Sequence, residues 1–384
     1  MKSILPELER QIQVTRDQQD VRRIGLQKLL GLTHEPRVVK DAHGFARVTQ
    51  GEVLPLKFPA FTSFEEAWTH FTGETGMHDL TRIQAIVNGA SFYNVLEDAL
   101  NRKLIQDYRI DYRWNEIAQA NSAANFHALK RVRGKFVEDL ATFGEDEPYS
   151  EAVVHGDEEV SYGGVVTKGA LLTITRRAFM NNDIAGIERL LDQLRRAAER
   201  TLARHCWAKI INNDNYLIDN VPMFDNAHGN LGSAVLSVPS LTAARLAMFA
   251  QRESGSDEPL GLGSGNLLLV VPPELESAAI AINNCESGSY EGNPWLRRFG
   301  MSNERIFTNP FFTEHADWAL FDVSGAASIL EVSFLMGNQI PQLSGATNDA
   351  EGAGLAQDRI VYRLRHEYEV GILDFRGAYK AEVA

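Results

Sequence analysis

Cysteine is scarce: the 384 residues contain two, Cys206 and Cys285. Two thiols supply neither a disulfide framework nor the three or four ligands of a zinc site, and both read as small buried hydrophobes. Long apolar runs are missing as well. None approaches the roughly 20 residues of a membrane span, and Met1 to Arg10 lacks the apolar core of a secretory signal. The expectation is a soluble chain made in a cytoplasm, with no membrane partner. Positive charge is also short, with 38 Lys and Arg against 51 Asp and Glu, a net charge of -13. Proteins that live by gripping nucleic acid present a basic face, because counterion release from phosphates drives binding.

Signatures of chemistry are lacking too. There is no HExxH, GxSxG, Walker A loop or GxGxxG before a helix. Gly261-Leu262-Gly263-Ser264-Gly265 precedes a strand pattern rather than a helix and reads as a flexible loop. His205-Cys206 and His228 have no second ligand pair at i, i+4, so no metal site is expected, and His228 reads as a turn residue. No cofactor and no catalytic set are predicted.

What is present begins with 44% hydrophobic residues, enough for two or three cores. Residues 1–34 carry sparse apolar positions (Leu5, Leu8, Ile12, Val21, Ile24, Leu29), a thin amphipathic helix unable to bury itself. Pro36, Pro55 and Pro59 punctuate an extended segment over 35–60. Ser63-Phe64-Glu65-Glu66 is a capping box opening a short helix through Trp68 and Phe71, and Ser91 opens another with Tyr93, Leu96 and Leu100 on one face.

Residues 145–175 place Glu145, Asp146, Glu147, Glu151, Asp157, Glu158 and Glu159 before any basic residue. With β-formers and glycine turn points beyond them, they read as a long hairpin with little to pack against in its own chain. Asn182-Asp183 then caps a helix to about Ile211, on the order of 40 Å long. Its polar face carries Arg189, Arg195, Arg196, Arg200 and Arg204, a basic strip in an acidic protein. Helices from Pro239 and from Pro272-Pro273, a buried strand at Leu267–Val271, and strands near Trp318–Phe321 and 327–335 follow. From Ile360 to Val370 apolar residues alternate with Val361, Arg363, Arg365, Glu367 and Glu369, a long two-faced strand. Without a regular βαβ repeat the class is α+β.

Arm, hairpin and terminal strand all demand partners, as the elements of an assembling subunit do. Val221-Pro222-Met223-Phe224 through Ala227-His228-Gly229-Asn230-Leu231 carries a resemblance. So do Ser240 to Arg245, Leu267 to Glu276, Gly371 to Lys380, and Leu172 to Arg176 leading to Asn181-Asn182-Asp183. In order, they resemble the major capsid proteins of tailed bacteriophages of the Mu-like type, relatives of which are sometimes fused behind a prohead protease. The similarity spans roughly 75–384, and no protease portion is recognisable before it.

The resemblance implies the Hong Kong ninety-seven phage capsid fold: an N-terminal arm over 1–75, a first part of the peripheral domain over 76–142, and an extended E-loop over 143–177. The peripheral domain with its spine helix would continue over 178–231, the axial domain over 232–340, and the returning peripheral strands over 341–384. It implies hexamers and pentamers of one chain in an icosahedral shell within the virion. The spine arginines would face packaged double-stranded DNA, loosely, because 183–211 holds six Lys and Arg against four Asp and Glu. Portal, scaffold and decoration proteins are the further partners of such heads. The acidic E-loop is expected on a basic patch of a neighbour, with Lys130, Arg131 and Arg133, or Arg363 and Arg365, as candidates. Some relatives weld neighbours by an isopeptide bond; Lys168, Asn348 and Glu351 are the residues of the required types in the corresponding places. A cellular compartment shell of the encapsulin type, and a soluble hydrolase using a histidine site, are the alternatives.

Overall fold

A computed structural model describes residues 19–72, 90–106, 108–109, 112–133, 158–253, 258–284, 303–325, 328–345 and 359–383. Helices and sheets mix without a βαβ repeat, and the class is α+β as expected. The chain divides into two compact units, each gathered from separate stretches: 1–110, 167–201 and 338–367 in the first, and 111–166, 202–337 and 368–384 in the second.

Among the described residues, the first unit buries a large apolar cluster. A helix over 19–29 gives Ile24, Leu26 and Leu29, with Leu30 in the turn after it, helix Phe64–Thr72 gives Phe64, Ala67 and Trp68, and helix Ala90–Gln106 gives Leu96, Leu100 and Leu104. The last three recur every four residues, which lines them on one helical face. Residues 19–72, which fall within the arm expected over 1–75, contribute to this cluster. Their helix is too sparsely apolar to bury itself, and it finds its cover within its own unit, Phe61 and Phe64 included. Residues 1–18 lie outside the described part.

The Pro-punctuated stretch also differs from expectation. It folds into an antiparallel hairpin, His34–Lys40 against Ala46–Val53, whose register shifts between His34 and Pro36. Proline, which cannot donate to a ladder, sits at that irregularity. The predicted capping box is half made. Ser63 Oγ accepts from the Glu66 N–H at 3.1 Å, but the Glu66 carboxylate accepts from the N–H and hydroxyl of Thr62 instead of from Ser63.

The long helix runs Ile184–Ile211, with the Asp183 carboxylate accepting from the Gly186 N–H at 2.9 Å as its cap. Ile187 and Leu191 enter the first unit's cluster, and Leu194 and Ala198 pack against it.

The second unit holds a five-stranded sheet in the order Ile306–Thr308, Leu267–Val271, Trp318–Asp322, Ala378–Ala381, Leu231–Gly232. All five residues of Leu267–Val271 are buried, as the unbroken apolar run predicts. Helices Val238–Phe249 and Glu276–Asn284 contribute to the core of this sheet; Pro273–Leu275 forms a 3₁₀ turn before the second, so that helix starts later than the prolines suggested.

Strand Arg359–Ile372 has the predicted two faces: Ile360, Tyr362, Leu364, His366, Tyr368 and Val370 are buried, and Val361, Arg363, Arg365, Glu367 and Glu369 between them are not. Its beginning pairs with Gln342–Gly345 in the first unit, and its end pairs with Leu330–Leu335 in the second. Leu330–Leu335 pairs in turn, parallel, with Ala118–Ala123.

The hairpin expected over 145–175 is rearranged. Glu158–Tyr162 pairs with Leu129–Arg133, and Val166–Thr175 pairs with Arg359–Ile372. Gly163-Gly164 does not turn one strand onto the other. A Cβ on Gly164 would lie 2.1 Å from the Phe126 carbonyl, so this glycine serves a close backbone crossing. Glu145, Asp146, Glu147, Glu151 and Asp157 lie outside the described residues.

Candidate functional site

Three features have the residue types to act on something outside the chain or to hold a moving part in place. The first is the basic side of Ile184–Ile211. At about 100° per residue, Arg189, Arg196, Arg200 and Arg204 fall within about 80° of one another, and all four are exposed. Arg204 also stands over the Phe311 ring at 5.8 Å. Arg195 does not share this side. It is about 120° away by the same periodicity and donates to the buried Glu199 carboxylate at 3.0 Å, which also accepts from the Arg109 N–H. The strip read from sequence as five arginines is thus four on the surface and one turned inward to a carboxylate.

The second feature is a buried carboxylate at the root of the segment 134–157. Glu331, 1% exposed, sits on Leu330–Leu335. Strand Leu129–Arg133 brings Arg131, whose Nε donates to the two Glu331 oxygens at 2.8 and 3.1 Å. The paired strand Glu158–Tyr162 brings the Tyr162 hydroxyl, which donates to Glu331 Oε1 and contacts Ser333 Oγ at 2.9 Å. Asn121 Nδ2 donates at 2.9 Å, Gln119 Nε2 at 3.4 Å and Ser333 Oγ at 2.9 Å.

Burial alone would raise the Glu331 pKa. The hydrogen bonds from Asn121, Tyr162 and Ser333 and the Arg131 charge outweigh it and hold the carboxyl below its usual value. Burial, reinforced by the anionic partner, pushes the Tyr162 phenol well above its ordinary value. A carboxylate so saturated with donors has no lone pair free for a substrate proton. Its effect is mechanical: it ties both strands leading to and from 134–157 to the sheet. Nothing in sequence spacing flagged Glu331, because its donors come from four separate stretches.

The third feature is a polar cleft of about 550 Å³ in the first unit. Glu97, Asn101, Gln342, Ser344, Arg363 and Arg365 are among its lining residues. Asn101 exchanges two hydrogen bonds with the Leu343 backbone, and Glu97 accepts from the Gly345 N–H. These bonds fasten the helix to the short strand that forms the wall.

The expected basic partners are scattered among these features. Lys130 is exposed on Leu129–Arg133, Arg131 is engaged with Glu331, and Arg133 stands opposite Glu158 in the ladder. Glu159 stands opposite Val132. Arg363 is exposed, while Arg365 lies 3.8 Å from Glu367 of its own strand. Lys168 is half-buried on Val166–Thr175, near enough to His366 to oppose its protonation. Asn348, Glu351 and Cys285 lie outside the described residues, and Cys206 is buried.

His228 behaves as a turn residue. Its backbone N–H closes a turn onto Asp225, its Nε2 meets Asp219 at 2.8 Å, and its ring stacks on Phe375 at 3.8 Å. Asn230 Nδ2 donates to the carbonyls of Met223 and Phe375, and the Lys380 N–H donates to the Asn230 carbonyl. The stretches 221–231 and 371–380, which carry the resemblance, are therefore packed on each other. The glycine loop is held rather than loose: Gly263 donates to Asp322 at 2.5 Å, and its carbonyl accepts from Arg245 at 2.7 Å. Among the described residues no three metal-ligating side chains converge, and no helix is long and apolar enough to cross a membrane.

Comparison with known proteins follows this geometry. Solved structures similar to the chain include the virus-like particle from Pyrococcus furiosus (13% identity, 74% of this chain and 98% of that one, TM-score 0.41). They include the capsid of an empty GTA particle (11% identity, 70% and 88%, TM-score 0.45). A third is the capsid of Cyanophage P-SCSP1u (11% identity, 72% and 89%, TM-score 0.42). No curated protein matches the chain in sequence. The model of the family described as phage capsid protein matches residues 159–381, which take in the long helix, Glu331 with its partners Tyr162 and Ser333, and both packed motif stretches. With more than half its length matched, the chain belongs to the phage capsid protein family.

Proposed function

We propose that the chain is the major head subunit of a tailed phage of the Mu-like type, with the Hong Kong ninety-seven fold. In this reading it forms hexamers and pentamers that close into an icosahedral shell around double-stranded DNA. The observation that carries the reading is the family match over 159–381. The subunit is made in the host cytoplasm, ends in the virion, and acts through assembly rather than turnover.

The exposed arginines Arg189, Arg196, Arg200 and Arg204 turn toward the contents in this reading. Four cations in a chain of net charge -13 suit loose, sequence-independent contact, since a wall that gripped its DNA would hinder release. The acidic segment 145–159 reaches a neighbouring copy. Lys130, Arg133, Arg363 and Arg365 are the basic residues for it to meet, because Arg131 is already committed to Glu331. Exposed pairs contribute only ~0–1 kcal/mol each, so several must act together.

Negative-stain electron microscopy of the purified protein tests the reading. Closed shells of uniform diameter are expected. A stable monomer or dimer at every concentration, with no shells, would overturn it.

A further inference from the structure

The cleft of the first unit carries donors that its own chain leaves unused. Arg363 and Arg365 lie two apart on strand Arg359–Ile372, so their side chains leave the same face about 6.6 Å apart. Gln342 stands opposite Arg365 across the ladder and shares that face. Arg363 is exposed, and its guanidinium has no ion pair or hydrogen bond among the described residues. Arg365 has Glu367 at 3.8 Å, which is beyond hydrogen-bond reach, so its donors remain available to an outside acceptor. The side-chain amides of Asn338 and Gln342 are likewise exposed and without a partner among the described residues.

The carboxylates of the lining, by contrast, are engaged. Glu97 accepts from the Gly345 N–H at 2.9 Å, and Glu367 accepts from the Thr167 hydroxyl at 3.0 Å. Ile105 and Ile340 supply an apolar part of the wall.

We infer that this cleft binds a small phosphate monoester of nucleotide size, with its phosphate on Arg363 and Arg365 and its body against Ile105, Ile340 and the amides of Asn338 and Gln342. A phosphate monoester carries about -1.5 to -2 charges at neutral pH and three strong acceptor oxygens. Two planar guanidinium forks match both the charge and the paired oxygens. The cleft volume of about 550 Å³ falls in the range of small-molecule pockets, about 300–1,000 Å³. An inorganic phosphate, the size of a few waters at ~30 Å³ each, would leave most of it empty.

Larger ligands fit less well. Glu97 and Glu367 would repel the continuous run of phosphates that a nucleic acid brings. A peptide cannot add as a strand, because the free edge of Gln342–Gly345 is already occupied: Asn101 exchanges two hydrogen bonds with the Leu343 backbone and Glu97 takes the Gly345 N–H. The inference does not rest on the shell reading. That reading offers the same two arginines to the acidic segment 145–159, and a bound ester would compete with it.

The test titrates adenosine 5′-monophosphate, ribose 5-phosphate, adenosine, inorganic phosphate and succinate into the full-length protein by isothermal calorimetry. The two esters should bind, with adenosine and succinate at least tenfold weaker and inorganic phosphate weaker than either ester. Arg363→Gln should weaken ester binding at least tenfold, and Arg363→Lys, which keeps the charge but loses the fork, by less. Thermal melting verifies that both variants fold. Arg189→Gln, on the long helix, should leave ester binding within twofold, which separates this site from general attraction to cations. Esters that fail to bind the wild-type protein, or bind it no better than adenosine or succinate, overturn the inference. So does ester binding to Arg363→Gln within twofold of wild type, and inorganic phosphate that binds as tightly as the esters overturns the assignment of an ester.

Discussion

The ring of Tyr162 fills the space that a side chain on Gly371 would need: a Cβ at 371 would lie 2.6 Å from the ring's Cγ. Gly371 pairs with Glu331 across the ladder, so the glycine gives the phenol room to reach the Glu331 carboxylate. A residue of the C-terminal motif thereby controls a strand that leads out of the segment 134–157. Gly371→Ala should displace Tyr162 and destabilise the subunit by about 1–3 kcal/mol, the usual cost of overpacking. Denaturant unfolding checks this, and an unchanged midpoint would refute the packing argument.

Removing the carboxylate itself should cost more. Glu331→Ala takes the shared acceptor from Asn121, Tyr162, Ser333 and the half-buried Arg131, a change of about 3 kcal/mol. Tyr162→Phe, which deletes the hydroxyl's bonds to Glu331 and Ser333, should cost about 1–3 kcal/mol. The two losses should fall short of additive in the double variant, since both report on one network.

The clamp also has a pH signature. The Glu331 carboxyl titrates below its usual value in the folded chain, so its stabilisation is complete above the ordinary carboxylate pKa and disappears as pH falls through the lowered one. The denaturant midpoint should fall as the pH drops through that lowered value, and Glu331→Gln should remove this fall.

His366 gives a second, separable dependence. It is buried, and burial, opposed by its hydrogen bond to the Gln339 carbonyl and aided by the Lys168 charge, pushes its pKa down to about 4. A depressed histidine stays neutral when folded while the unfolded chain takes up a proton below about 6.5. Stability should therefore fall between about pH 6.5 and 4, by roughly 3 kcal/mol at one pKa unit per 1.36 kcal/mol. In His366→Gln the melting temperature should lose most of its slope across that window.

The arginine face should reveal itself through salt. Each phosphate neutralised contributes a slope of about -0.9 to log K against log salt, so four arginines give at most about -3.6. Replacing Arg189, Arg196, Arg200 and Arg204 together by Gln should flatten the slope of subunit binding to double-stranded DNA. An unchanged slope would place the contact elsewhere.

The sequence by itself determined the features that depend on neighbours along the chain. The Asp183 cap, the buried run Leu267–Val271, the alternation from Ile360 to Val370 and the turn role of His228 were all legible from local spacing. So was the resemblance to a capsid family, because its motifs are contiguous stretches.

Tertiary structure alone decided what depends on residues far apart in the chain. The helix over 19–29 looked like an arm needing a neighbour, yet Phe61, Phe64 and Leu100 of its own unit cover it. Strand Glu158–Tyr162 chose Leu129–Arg133 as its partner, a pairing that period-two patterning cannot specify, since the pattern gives faces and not neighbours. Arg195 left the basic strip for Glu199, and Arg131 left the list of free cations for Glu331. A charge read from sequence shows what a residue carries; whether it faces a solvent, a DNA or a buried carboxylate is set by which strands and helices the fold brings beside it.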